Sequence, residues 1–187
     1  LFRHTGERPV LFSILFTVVA LFLLEDFRER KTKKLFLLVP LMLLWSNMHG
    51  GFIIGDIIIG AYMFGEGLKI ISMKGKYTKQ ESTVFFYSTA VLAIGASYVN
   101  PTGWDAFFIA FSDKYDIFTE GIQEYRTPFF FYTEKIGSID YVYFILAALF
   151  PAILIFRNKK LDSTHVLLLS GFLYMSLTAR RYIIFYV

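Results

Sequence analysis

The chain is built of long apolar blocks with positive charge collected between them. The blocks cover residues 10–24, 35–44, 52–64, 84–99, 139–156 and 166–178, and a seventh begins at Tyr182. Blocks without polar faces read as membrane spans, whereas helices of water-soluble domains show a one-sided apolar stripe. Several blocks fall short of the roughly 20 residues that cross a bilayer. Flanking Tyr, Trp, Lys and Arg can extend them by sitting at the interface or snorkelling to it. At 56% hydrophobic and 19% aromatic, the composition is more apolar than that of most soluble domains. The pattern predicts an all-α, polytopic transmembrane helix bundle of about six spans plus the start of a seventh. Residues 1–187 would form a single transmembrane domain. The first residue is not Met and residues 183–187 read as the opening turns of a span, so the expectation is an internal piece of a larger protein. Cysteine is absent, which removes disulfides and thiolate metal sites.

Charge assigns the sides. Arg28, Arg30, Lys31, Lys33 and Lys34 form one basic cluster, Lys69, Lys74, Lys76 and Lys79 a second, and Arg157, Lys159 and Lys160 a third; together they hold 12 of the 19 basic residues. The positive-inside rule places the segments 25–34, 69–82 and 157–164 in the cytoplasm. The first two can share a side only if the chain crosses an even number of times between them. The break Trp45-Ser46-Asn47-Met48-His49-Gly50-Gly51 supplies the turn, so residues 47–51 are expected outside. A loop over residues 100–137 then also lies outside. It carries Asp105, Asp113, Asp116, Glu120, Glu124 and Glu134 against Lys114, Arg126 and Lys135, the opposite balance to the basic loops. A shallow re-entrant hairpin is the alternative for residues 35–64.

Most polar groups that call for a reason fall on that outer side. His49 follows Asn47 and precedes two glycines, which allow close backbone approach. It could bind a phosphate or sugar hydroxyl or move a proton, or Asn47 and His49 could simply satisfy a turn. Asp56 lies a turn or two beyond the break, and an ionisable group inside a span is by default a functional candidate; hydration near the surface is the plainer reading. Gly51 and Gly55 form a small-residue pair suited to helix packing. Arg180 and Arg181 break the charge rule. Two guanidiniums can clamp a phosphate in bidentate fashion, or pair with Glu120 or Glu124. Arg8, beside Pro9, could serve the same anion.

The outer loop is long for a connector. Residues 121–128, with Gln123, Glu124, Tyr125 and Arg126, mix hydrogen-bonding and aromatic groups as carbohydrate sites do, or form an interfacial lid. Asp113 and Asp116 share a face if helical and could bind a divalent cation. There is no phosphate-binding glycine loop, zinc-type histidine spacing, nucleophile elbow or nucleic-acid module.

The residues Arg8-Pro9-Val10-Leu11-Phe12-Ser13, Leu44-Trp45-Ser46-Asn47-Met48-His49-Gly50-Gly51-Phe52, Asn100-Pro101-Thr102-Gly103-Trp104, Ile122-Gln123-Glu124-Tyr125 with Pro128-Phe129, and Ala179-Arg180-Arg181-Tyr182 occur in an order that resembles a group of prokaryotic multi-span proteins. That group is similar to the GT-C class of membrane glycosyltransferases. The resemblance implies transfer of a sugar from a polyprenyl-phosphate-linked donor to an acceptor outside the cytoplasm, with the catalytic carboxylate in an outer loop upstream of Leu1. It implies that Arg8, Asn47, His49, Arg180 and Arg181 line an outer cavity facing the donor phosphate, with Glu124 and Arg126 joining from the loop. A transporter or flippase for lipid-linked or anionic substrates is the rival expectation, and a structural subunit without chemistry is a third.

Overall fold

A computed structural model describes residues 10–72, 80–105 and 162–178. Among them every regular element is helical, so the all-α expectation holds. The chain divides into two compact units, Leu1–Phe111 and Ser112–Val187, taken separately below.

The first unit begins with α1 (Val10–Arg30). The helix outruns its apolar block because the polar residues that follow are good helix formers and pair along it, Arg28 Nη1 lying 2.8 Å from Glu25 Oε1. Lys31 stops it. This residue takes a left-handed conformation (φ 55) and its N–H reaches Phe27 O at 2.8 Å, the C-terminal cap that glycine usually makes. Thr32 Oγ1 then donates to Asp26 Oδ2 at 2.6 Å, and a short 3-10 turn, Lys33–Leu37, leads into α2 (Leu38–Met48). Pro40 falls in the first turn of α2, where its missing N–H would have had no helical partner.

The chain turns at residues 49–51. His49 is extended (φ −159, ψ 140) and its N–H caps Trp45 O at 3.0 Å. Phe52 N–H reaches back to His49 O at 3.3 Å, and α3 (Phe52–Ser72) starts there. Gly55 lets α3 fold against α2: a Cβ at this position would stand 2.8 Å from Met42 Sδ and 2.8 Å from Trp45 Cζ3. α4 (Gln80–Ser97) completes the unit.

The cross-links give the topology. Ser13 meets His49 while Glu25 meets Tyr62, so α1 and α3 run parallel. Asp56 meets Ser97 while Met63 O meets Tyr87, so α4 runs antiparallel to α3. Trp45 meets Ser13, so α2 runs back along α1. The result is an up-and-down four-helix arrangement. One end gathers the start of α1, the break and the end of α4. The other gathers Arg28 to Lys34 and Lys69.

Each helix buries one face. α1 buries Phe16, Ala20, Leu23, Leu24 and Phe27; α2 buries Leu38, Met42 and Trp45; α4 buries Phe86, Thr89, Ala90, Ala93 and Ser97. The opposite faces are apolar too. Leu11, Leu15, Val18 and Phe22 on α1 and Ile57, Phe64, Leu68 and Ile71 on α3 lie at helical spacing and are exposed. Buried polar side chains include Ser13, Asp26, Glu66 and Ser97.

No helix among the described residues is long and apolar enough to cross a membrane. The reasons differ by helix. The apolar part of α1 ends before Glu25 and Asp26, α2 is 11 residues long, Asp56, Glu66 and Lys69 interrupt α3, and α4 opens on Gln80 and Glu81. The second expected block, residues 35–44, is divided between the 3-10 turn and α2.

In the second unit, α5 (Ser163–Thr178) matches the expected block over residues 166–178. Asp162 caps it, Oδ1 accepting from Thr164 N–H at 3.0 Å. The block over residues 139–156 lies outside the described residues.

Candidate functional site at the turn end of the bundle

Three of the expected site residues fall among the described residues: Asn47, His49 and Asp56. Arg8, Glu124, Arg126, Arg180 and Arg181 lie outside them, as do Asp113 and Asp116. The three that are described occur at the same end of the four-helix unit, each held by a partner that the sequence reading did not name.

His49 is tied to α1. Trp45 Nε1–H donates to Ser13 Oγ at 3.0 Å, and Ser13 Oγ lies 2.8 Å from His49 Nδ1. Gly51 N–H also reaches Nδ1, at 3.0 Å. Proton accounting fixes the ring. The indole and the backbone amide can only donate, so Ser13 accepts from Trp45 and gives its own proton to Nδ1, which keeps its lone pair. The imidazole proton therefore resides on Nε2. Gly51 is required beside it. A Cβ there would collide with Ser13 Oγ and stand 2.9 Å from His49 Nδ1, while one at Gly50 meets nothing within 4 Å.

Asn47 is a strut. Its Nδ2 donates to Leu43 O at 2.8 Å within α2 and to Val99 O at 2.9 Å, just past the end of α4. Those two bonds use both amide hydrogens, so the side chain joins the break to the turn after α4.

Asp56 meets α4. Ser97 Oγ lies 3.0 Å from both carboxylate oxygens and 2.7 Å from Ile94 O. Ser97 is fully buried. The pair closes the bundle one turn below the break.

The motif at residues 100–104 forms a compact turn on the same rim. Asn100 Oδ1 accepts from Thr102 N–H (2.9 Å), Gly103 N–H (2.8 Å) and Thr102 Oγ1 (2.6 Å), and its Nδ2 donates to Ser97 O at 2.7 Å. Gly103 has φ 52, a conformation in which glycine is unstrained. The turn lays Trp104 on Tyr98 with ring centroids 4.1 Å apart, and Phe52 meets Tyr98 edge-on at 6.2 Å. Trp104 is exposed, which leaves an aromatic platform beside the His49 turn.

A second polar cluster lies at the opposite end. Arg28 lies 2.8 Å from Glu25 Oε1 and 3.2 Å from Glu66 Oε1, Lys69 Nζ lies 2.7 Å from Glu66 Oε1, and Tyr62 OH donates to Glu25 Oε1 at 2.5 Å. The sequence reading placed Arg28 and Lys69 in basic segments without pairing them with Glu25 or Glu66. Ser13 and Ser97 escaped it as well. The available signal was a serine inside an apolar block, at the depth where a break or an acid occurs on a neighbouring block. Among the described residues, no group of three or more His, Asp or Glu could hold a metal ion.

Comparison with known proteins finds no match: no protein-family model fits the chain, and no curated protein or solved structure is similar to it.

Proposed function

We propose that this chain is part of a membrane-embedded helical protein that transfers a sugar from a polyprenyl-phosphate-linked donor to an acceptor outside the cytoplasm. One observation carries the membrane part. In the first unit, apolar faces of α1, α3 and α4 point outward while Ser13, Glu66 and Ser97 are buried. Large contiguous apolar surfaces mark a lipid or protein partner, and polar groups within a bilayer turn toward one another. The helices fall short individually as spans, so the four-helix unit would sit with its charged end in the headgroup region.

The turn end supports the transfer part of the reading. A neutral histidine with its proton on Nε2 can donate to a phosphate oxygen or a sugar hydroxyl, and an exposed indole beside it offers a face to a sugar ring. In this proposal Arg180 and Arg181 stabilise the departing lipid phosphate, and Arg8, Glu124 and Arg126 contribute from the same side. No residue of the chain is assigned as catalytic base.

A transporter or flippase is the second reading. The buried Arg28–Glu66 pair at the basic end favours it, because a translocation path needs polar groups at both ends. The apolar residues Ile58 and Ile59, buried between Asp56 and Tyr62 on α3, argue for a closed interior.

The absence of cysteine makes the test direct. Single cysteines in the full-length protein, Gly50→Cys and Lys34→Cys, should be labelled by an impermeant maleimide from opposite faces of the membrane. Labelling from one face, or recovery of the protein outside the membrane fraction, overturns the proposal. Arg180→Gln with Arg181→Gln should abolish transfer from a polyprenyl-phosphate sugar while membrane insertion persists.

A further inference from the structure

The basic end of the four-helix unit contains a cavity that the proposed transfer does not use. It lies between the end of α1 and the start of α4, has a volume of ≈ 40 Å³, and is lined by the apolar side chains of Phe27, Ile70 and Phe86 together with Arg28, Lys31, Glu66, Ser82, Thr83 and Tyr87. At about 10–15 Å³ per water-sized group, it takes a small head such as a phosphoryl and excludes a sugar ring.

Lys31 gives the cavity its charge. Arg28 is shared between Glu25 and Glu66, and Lys69 is held by Glu66. No carboxylate pairs with Lys31 among the described residues. Its ammonium sits 5.0 Å from the centroid of the Phe27 ring. That ring is stacked on Phe86, centroids 5.6 Å apart and planes at 16°, so the support is rigid. The backbone of Lys31 is left-handed (φ 55), where glycine or asparagine would be the unstrained choice. A lysine kept in that conformation beside a cavity suggests that the cation is used.

The cavity adjoins an open apolar depression. Thr83 and Tyr87 also line a second, more open depression along α4, with Val84, Ser88, Val91 and Leu92. Val84 and Val91 are exposed there. A mainly apolar pocket with Lys31 in its lining, beside an open apolar depression, fits an amphiphile with a negative head, whereas a free anion would use only the first part.

We propose that this end binds an anionic phospholipid, with its phosphate beside Lys31, Ser82 and Thr83 and an acyl chain along Val84, Val91 and Leu92. The proposal rests on the membrane reading above and concerns the face opposite the turn. Native mass spectrometry of the full-length protein, released from a neutral detergent, would compare dioleoyl phosphatidylglycerol, dioleoyl phosphatidylcholine and glycerol 3-phosphate. One unpaired cation at a membrane surface should favour phosphatidylglycerol over phosphatidylcholine by about fivefold. Lys31→Gly keeps the helix cap and should erase that preference. Val91→Gln should weaken retention of both lipids. Glycerol 3-phosphate should displace neither.

An undiminished preference in Lys31→Gly, or displacement by glycerol 3-phosphate, overturns the proposal. Carbonate extraction scores membrane residence separately. Residence without a phosphatidylglycerol preference defeats this inference alone, and loss of residence defeats the membrane reading.

Discussion

Ser13 Oγ lies 2.8 Å from His49 Nδ1, and through this contact a serine on the first helix holds the tautomer of a histidine 36 residues away. The relationship makes Ser13 a positioning residue for whatever His49 does. Ser13→Ala leaves the buried indole N–H of Trp45 without its acceptor and should lower stability by about 1–3 kcal/mol. Ser13→Thr keeps the hydroxyl and should recover much of that loss if the added methyl fits. A thermal melt of the detergent-solubilised protein measures both, and an unchanged midpoint for Ser13→Ala would remove the contact from the account.

The two glycines of the break should separate sharply. Gly51→Ala places a methyl on Ser13 Oγ and against His49 Nδ1, whereas Gly50→Ala meets open space. Overpacking of this kind costs about 1–3 kcal/mol, so Gly51→Ala should melt well below Gly50→Ala. Equal melting temperatures would mean that the turn is looser than described.

The same contrast tests the packing of α3. Gly55→Ala drives a Cβ into Met42 Sδ and Trp45 Cζ3, while a Cβ at Gly60 touches nothing within 4 Å. Gly60→Ala should stabilise the helix by up to about 1 kcal/mol, and Gly55→Ala should destabilise the bundle. Circular dichroism melts of the pair give opposite signs if α3 folds onto α2 at Gly55.

Glu66→Gln should be costly at the basic end. Glu66 Oε1 holds both Arg28 Nε at 3.2 Å and Lys69 Nζ at 2.7 Å, with its side chain 10% exposed. Removing one member of a buried ion pair costs about 3–5 kcal/mol, and Arg28 keeps Glu25, so the lower part of that range is expected. Glu66→Gln with Lys69→Met should recover part of the loss, which a double-mutant cycle on chemical denaturation would read.

Asn47 offers a test by sign. Asn47→Ala removes donors from Leu43 O and Val99 O at an exposed position and should cost about 0.5–1 kcal/mol. Asn47→Asp presents oxygens to the same two carbonyls and should be worse than alanine. A variant series in which aspartate is the better tolerated would show that the side chain does not bridge the two turns.

The helices were legible in the sequence and their ends were not. The blocks over residues 10–24, 52–64 and 84–99 became α1, α3 and α4, because a run of apolar residues with few breakers has no cheaper conformation than a helix. α1 and α3 continue one to two turns past their blocks because Glu25 with Arg28 and Glu66 with Lys69 pair along the helix, which a hydropathy reading counts as loss. The break was legible from Gly50 and Gly51. Its partner was not. Nothing in a local window shows that Ser13 lies at the same height as His49, since that depends on how far α1 slides against α3. The partner of Asp56 was missed for the same reason: Ser97 reaches it only through the antiparallel register of α4. Arg8, Glu124, Arg126, Arg180 and Arg181 rest on sequence pattern and charge alone.

Both tryptophans of the chain stand at the turn end, one on each side of the Asn47 bridge. Trp45 is buried and feeds the hydrogen bond to His49, and Trp104 is exposed and stacked on Tyr98. The native protein thus carries two indole reporters at one end of the four-helix unit. Iodide should quench Trp104 and spare Trp45, so a ligand arriving at the His49 turn writes two separable optical signals without any label being added.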